Sequence, residues 1–103
     1  MAIPPVHIAQ EYAVKLGRMV QRADAVVVDA SGMPLLLAEC KAPEVKIDGS
    51  VLDQAVRYNS VIGARYLLLT NGLSHYFYRF DGNGYEPLRT LPDLSGYFVT
   101  PNR

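Results

Sequence analysis

Apolar and polar positions alternate over the first part of the chain. Ile8, Gln10, Tyr12, Val14 and Leu16 stand against Ala9, Glu11, Ala13 and Lys15, a period of two that predicts a strand with unlike faces. Leu16-Gly17 predicts a turn, and residues 18–29 read as a second strand closing on Val26, Val27 and Val28, whose β-branched side chains suit a pleated surface. Breakers at 29–34 predict another turn. A third strand follows at 34–41, and its unbroken run Leu35-Leu36-Leu37-Ala38 predicts cover on both faces.

The period then changes. After a loop at 42–49, Ser50 is a candidate N-cap with Asp53 three residues on, approximating a capping box. Val51, Leu52, Ala55, Tyr58 and Ile62 form one apolar stripe of a helix, and Gly63 is a plausible stop. Residues 64–70 predict a fourth strand and Asn71-Gly72 a hairpin. Residues 73–80 pair back as strand five, "DGNG" turns the chain, and 85–91 read as a short edge strand because Pro87 would break a central ladder. The order β-β-β-α-β-β-(β) implies an α/β fold of α+β character in one domain over 1–103: a mixed sheet of five to six strands with a packed helix. One helix covers one face. The other face then requires a second helix, a partner chain or a segment upstream of Met1.

Composition narrows the classes without choosing among them. The 103 residues are 50% apolar and 19% charged with zero net charge, which fits a globular domain and excludes nucleic-acid binding by bulk positive charge. A single cysteine, Cys40, allows no disulfide within the chain. No apolar stretch approaches a membrane span and no leader pattern opens the chain, so a soluble, cytoplasmic protein is expected.

The candidate chemistry lies at the tip of the third strand. By alternation, Glu39 and Lys41 share a face with Leu35 and Leu37, while Cys40 faces the other way. A short turn makes strands two and three antiparallel neighbours, which brings Asp24, near the start of one, beside Glu39, near the end of the other. Two adjacent, half-buried carboxylates repel each other and lose solvation. A hard divalent cation such as Mg²⁺, with Mn²⁺ as a substitute, relieves both costs using one or two carboxylates. The Cys40 backbone carbonyl is a further candidate oxygen ligand. Lys41 can orient a water or offset charge on a phosphate. Gln54 and Tyr58, four apart on the helix, share a face from which they can support Lys41. The plain alternative is a salt bridge between Lys41 and one carboxylate, with Gln54 solvated and Tyr58 packed on the sheet. Cys40 reads as a small core residue, His75 as a surface or packing residue, and Tyr76, Phe77 and Tyr78 as cross-strand packing. Arg18, Arg22, Arg57 and Arg65 are candidates for a phosphate-facing patch. Glu11 is a weaker candidate for a further acidic group.

These residues carry a family resemblance. Arg22 and Asp24, then Glu39-Cys40-Lys41-Ala42-Pro43, then Gln54 with Tyr58-Asn59, then Leu69-Thr70-Asn71-Gly72 occur in order. This series resembles the D…ExK core and QxxxY motif of the PD-(D/E)xK nucleases, and within them the N-terminal nuclease domain of the R subunit (HsdR) of type I restriction enzymes. The resemblance covers about residues 8–94. It implies a restriction-endonuclease-like core and Mg²⁺-dependent hydrolysis of DNA, with Asp24 and Glu39 on the metal, Lys41 catalytic, and Gln54 and Tyr58 in support. It also implies a restriction complex with helicase and specificity or modification subunits as the setting. The chain departs from the pattern where the family carries a helix before the first strand, since "MAIPPVH" stands there, and it contains no phosphate-binding GxxxxGK[ST] loop of a helicase motor. A fragment, a stand-alone relative or a catalytically inactive assembly module is the alternative these departures raise. A homo-oligomer would be one way to cover the open face.

Overall fold

The computed structural model describes residues 7–98, apart from the side chains of Glu11, Tyr12, Leu16, Met19 and Gln21. The proposed role of Glu11 therefore lies outside the described residues. Six strands, β1 (Ile8–Leu16), β2 (Met19–Val28), β3 (Pro34–Cys40), β4 (Tyr66–Thr70), β5 (His75–Phe80) and β6 (Tyr85–Leu88), form one sheet in the order of the chain. One α-helix, α1 (Gly49–Ile62), connects β3 to β4. This is an α+β chain with a mixed sheet. β3 and β4 run parallel, and every other neighbouring pair runs antiparallel. The parallel pair follows from the helix, because a parallel return needs a long crossover whereas the other connections are short turns. Gly17 turns β1 into β2 with φ 62°, a conformation only glycine adopts without strain. Pro87 lies in β6 at the sheet edge, where its missing N–H is tolerated.

The helix lies against β1, β3 and β4. Its buried positions are Val51, Ala55, Tyr58 and Asn59, close to the expected stripe, and they meet Val26, Leu37, Leu67 and Leu69 of the sheet. Two details differ from the pattern reading. The N-cap is Asp48, whose Oδ1 accepts from the Ser50 N–H at 3.0 Å and from the Ser50 hydroxyl at 2.6 Å. Ser50 is thus a partner of the cap rather than the cap, because an aspartate two residues earlier reaches the same free N–H groups. Asn59 is 2% exposed although polar. Its amide accepts from the Ala64 N–H at 2.7 Å and donates to the Ala64 carbonyl at 3.0 Å and to the Tyr85 hydroxyl at 3.1 Å. It ties the helix end, where Gly63 sits at φ 75°, to the start of β4. Asn59→Ala is expected to cost about 1–3 kcal/mol by leaving buried backbone groups unpaired. A lowered denaturant midpoint at unchanged slope would register this.

The middle of the second sheet face is covered by a later segment of the chain. Leu94, 1% exposed, packs with Val27, Leu35, Leu36 and Tyr66, joined by Leu91, Tyr97 and Phe98. A short 3-10 helix, Ser95–Phe98, forms this cover. It is pinned by the Ala30 N–H donating to the Tyr97 carbonyl at 2.8 Å and by an edge-on contact of the His7 and Phe98 rings. Of the covers expected for this face, residues 91–98, with their short helix, supply the one over Val27, Leu35, Leu36 and Tyr66. Leu35 also joins this second cluster rather than the helix side, beside the register shift between Val27 and Val28 that breaks strict alternation.

Candidate active site at the end of the third strand

The β2–β3 ladder reaches Ala25 opposite Ala38, so Asp24 and Glu39 stand one step past its end. The ladder is continued there by a side chain. Asp24 Oδ2 accepts from the Cys40 N–H at 2.7 Å, in the place a strand carbonyl would take. On the other side, the Lys41 N–H donates to the Thr70 carbonyl at 2.8 Å. The tip of β3 is therefore held from both neighbours, which fixes the direction of Glu39 and Lys41.

Glu39 lies opposite Leu69 in the parallel register and is 3% exposed. Its Oε1 is buried with no hydrogen-bond partner among the described residues. Burial, reinforced by the negative charge of Asp24 and partly offset by Lys41 and a backbone hydrogen bond at Asp24, raises the Glu39 carboxyl from 4.5 to about 7. An orphaned buried carboxylate oxygen beside a second carboxylate is costly and is a feature of functional sites.

Lys41 is half-buried, and its Nζ donates to Gln54 Oε1 at 3.4 Å. Gln54 Nε2 in turn donates to the Tyr58 hydroxyl at 3.1 Å. Tyr58 is 4% exposed and anchored in the core beneath the helix. The series Tyr58–Gln54–Lys41 thus runs from the core to the ammonium. Among the described residues Lys41 forms no ion pair with either carboxylate, so the salt-bridge part of the plain alternative does not describe this site, whereas its packing of Tyr58 on the sheet does. The structure brings together Asp24, Glu39, Lys41, Gln54 and Tyr58. No cluster of three or more His, Cys, Asp and Glu side chains occurs among the described residues. A cation here would rest on two carboxylates and backbone oxygen, a donor set that suits Mg²⁺ or Mn²⁺ rather than Zn²⁺.

A model described as the type I restriction enzyme R protein N terminus matches residues 1–92 of the 103. The chain belongs to this family. No curated protein matches it, and no solved structure does. The span matched by the R-protein N-terminal family holds all five residues assembled at the β3 tip.

Other expectations for this family member divide. Cys40 is exposed, not core, because it faces away from Glu39 at the strand end, past the reach of the residue 91–98 cover. Partial desolvation at the strand end, together with the charges of Asp24 and Glu39, still raises its thiol above the ordinary range. His75 is exposed and hydrogen-bonds Thr70 Oγ1 through Nδ1 at 2.6 Å; it stands opposite Thr70, the β4 residue paired with Cys40, one strand further from the β3 tip. The four arginines do not form one patch: Arg65 lies over the Tyr97 ring on the far face, 5.9 Å from its centroid, whereas Arg57 faces a groove beside Lys41. The sequence marks Asn71 as a turn former and as part of the Leu69–Gly72 block, without a packing role. In the structure it is 8% exposed; its Oδ1 accepts from the Leu73 and Ser74 N–H groups, and its Nδ2 donates to the Val45 carbonyl at 2.8 Å. It binds the β4–β5 connection to the segment that follows β3. No helix among the described residues is long and apolar enough to cross a membrane.

Proposed function

We propose that this R-protein N-terminal domain is a Mg²⁺-dependent deoxyribonuclease with a restriction-endonuclease-like core, working within a restriction complex on DNA. The observation that supports it most is Glu39: a buried carboxylate with an orphaned oxygen, beside Asp24, at the mouth of a held lysine. Asp24, Glu39 and the Cys40 carbonyl would hold the cation. When bound, the cation supplies a more acidic water and neutralises charge near phosphorus.

The remaining steps belong to the chain. Lys41 offsets charge developing on the phosphate oxygens as water oxygen joins phosphorus and the bond to the departing sugar oxygen breaks. Gln54 fixes the ammonium in place, and Tyr58 fixes Gln54, so that little reorganisation is needed during the reaction. Asp24 fixes the Cys40 backbone and thereby the Glu39 and Lys41 side chains on either side of it.

Calorimetric titration of Mn²⁺ and Mg²⁺ into the wild-type chain and into Glu39→Ala tests the reading. Binding to the wild type that is lost in the variant is the expected result. No heat from either chain would remove the metal site, and with it the nuclease reading in favour of an assembly module.

A further inference from the structure

A groove of about 710 Å³ opens beside the candidate site, between the segment after β3 and helix α1. Its size is within the roughly 300–1,000 Å³ of typical ligand sites. Lys41 and Gln54 line it, so it leads to the proposed chemistry. Lys46 and Arg57 line it as well. They come from different elements: Lys46 from the connection before the helix, and Arg57 from the helix one turn beyond Gln54, on the same face. Three cations thus converge on one concave surface of a chain whose net charge is zero.

Two carboxylates share the groove with the three cations and leave it with an excess of one positive charge. Asp48 and Asp53 also line it, yet among the described residues neither forms an ion pair with Lys41, Lys46 or Arg57. Asp48 is turned to the helix end, where the Ser50 N–H and hydroxyl donate to its Oδ1. Asp53, like Lys46 and Arg57, is exposed. The groove wall is also held in shape. The Val45 N–H donates to the Ala42 carbonyl at 2.9 Å, and the Val45 carbonyl accepts from buried Asn71, which fixes the backbone next to Lys46. Unpaired cations on a braced wall have no structural task that the fold reveals. They match the spaced negative charges of a nucleic-acid backbone, which such side chains position without reading sequence.

We infer that this groove is where the DNA strand enters, with Lys46 and Arg57 as phosphate contacts that lead a phosphodiester to Lys41. The inference rests on the nuclease reading but adds the path of the substrate and two residues outside the acidic site. The test uses the full chain, a fluorescent random-sequence DNA duplex and Ca²⁺ in place of Mg²⁺, with anisotropy recorded across a range of salt concentrations. Lys46→Ala with Arg57→Ala is expected to weaken binding about tenfold at low salt and to reduce the slope of log affinity against log salt by about 2. Each single variant should show about half of that slope change. Arg89→Ala, beyond β6 and away from the groove, should match the wild type, and circular dichroism should show the double variant folded. Calorimetric Mn²⁺ binding should be unchanged in the double variant. A double variant with wild-type affinity and slope overturns the groove while the metal site stands. A wild-type chain with no affinity for the duplex at low salt also overturns it, and the Mn²⁺ titration then judges the nuclease reading independently.

Discussion

Glu39→Gln is expected to stabilise the metal-free chain above pH 7 while abolishing divalent-cation binding. The sign follows from proton binding. Burial raises the folded-state carboxyl from 4.5 to about 7, so between those two values the folded chain holds a proton that the unfolded chain has released. This contribution is fully present below about pH 4.5 and is lost as pH rises through 7. The loss amounts to at most about 3 kcal/mol, because each tenfold change in proton affinity is worth a little over ~1 kcal/mol. Glutamine keeps the shape and carries no charge, so the variant should lack this decline. Unfolding in denaturant at pH 5 and pH 8, in chelator, reads the difference directly. The wild-type midpoint should fall between the two pH values by more than that of Glu39→Gln. Added Mn²⁺ should restore the wild type at pH 8 by mass action and leave the variant unchanged. If the two chains share one pH profile, the Glu39 environment described above is wrong.

Lys41→Ala is expected to lower DNA cleavage by about 10²–10³-fold, the scale for removing one pre-placed charge from a developing oxyanion. Metal binding should survive, because Lys41 touches neither carboxylate as an ion pair. Lys41→Arg should recover little, because the bulkier guanidinium does not fit the contact that Gln54 Oε1 offers to a compact ammonium. Gln54→Ala should lie between wild type and Lys41→Ala, acting through the position of the ammonium. The assay is single-turnover cleavage in Mn²⁺, set beside calorimetric Mn²⁺ binding by the same variants. Loss of metal binding in Lys41→Ala would assign the lysine to the site's architecture instead of to the phosphate.

Asp24 and Asn71 show how packing adds a second meaning to a residue that a motif already marks. The motif marks Asp24 as an acidic group. In the fold it also closes the open end of β3 through the Cys40 N–H, so a loss of activity in Asp24→Ala would mix lost chemistry with a displaced Glu39 and Lys41. Asn71 is half of a turn signal in the sequence. In the fold it carries the wall of the proposed DNA groove.

Local chemistry along the chain already settles the strands, the helix, its Gly63 stop, the edge position of the proline-bearing strand and the placing of Asp24 beside Glu39. Each rests on a short-range cause: a period of two or 3.6, a residue that tolerates positive φ, a missing N–H, or a short turn that brings strand ends together. Packing between distant segments supplies the rest. Leu94 covers the middle of the second sheet face from far along the chain, and no local period announces such a contact. Cys40 is exposed because cover ends where it stands, which depends on what packs beside it rather than on its own polarity. Asn59 is buried because groups at Ala64 and Tyr85, outside its own helix, satisfy its amide. Lys46 and Arg57 become a groove only when the connection after β3 is folded against the helix. Glu39 is readable from sequence as a carboxylate at a strand tip; that one of its oxygens is buried without a partner among the described residues follows from tertiary packing, with Leu69 of β4 and Asp24 of β2 beside it.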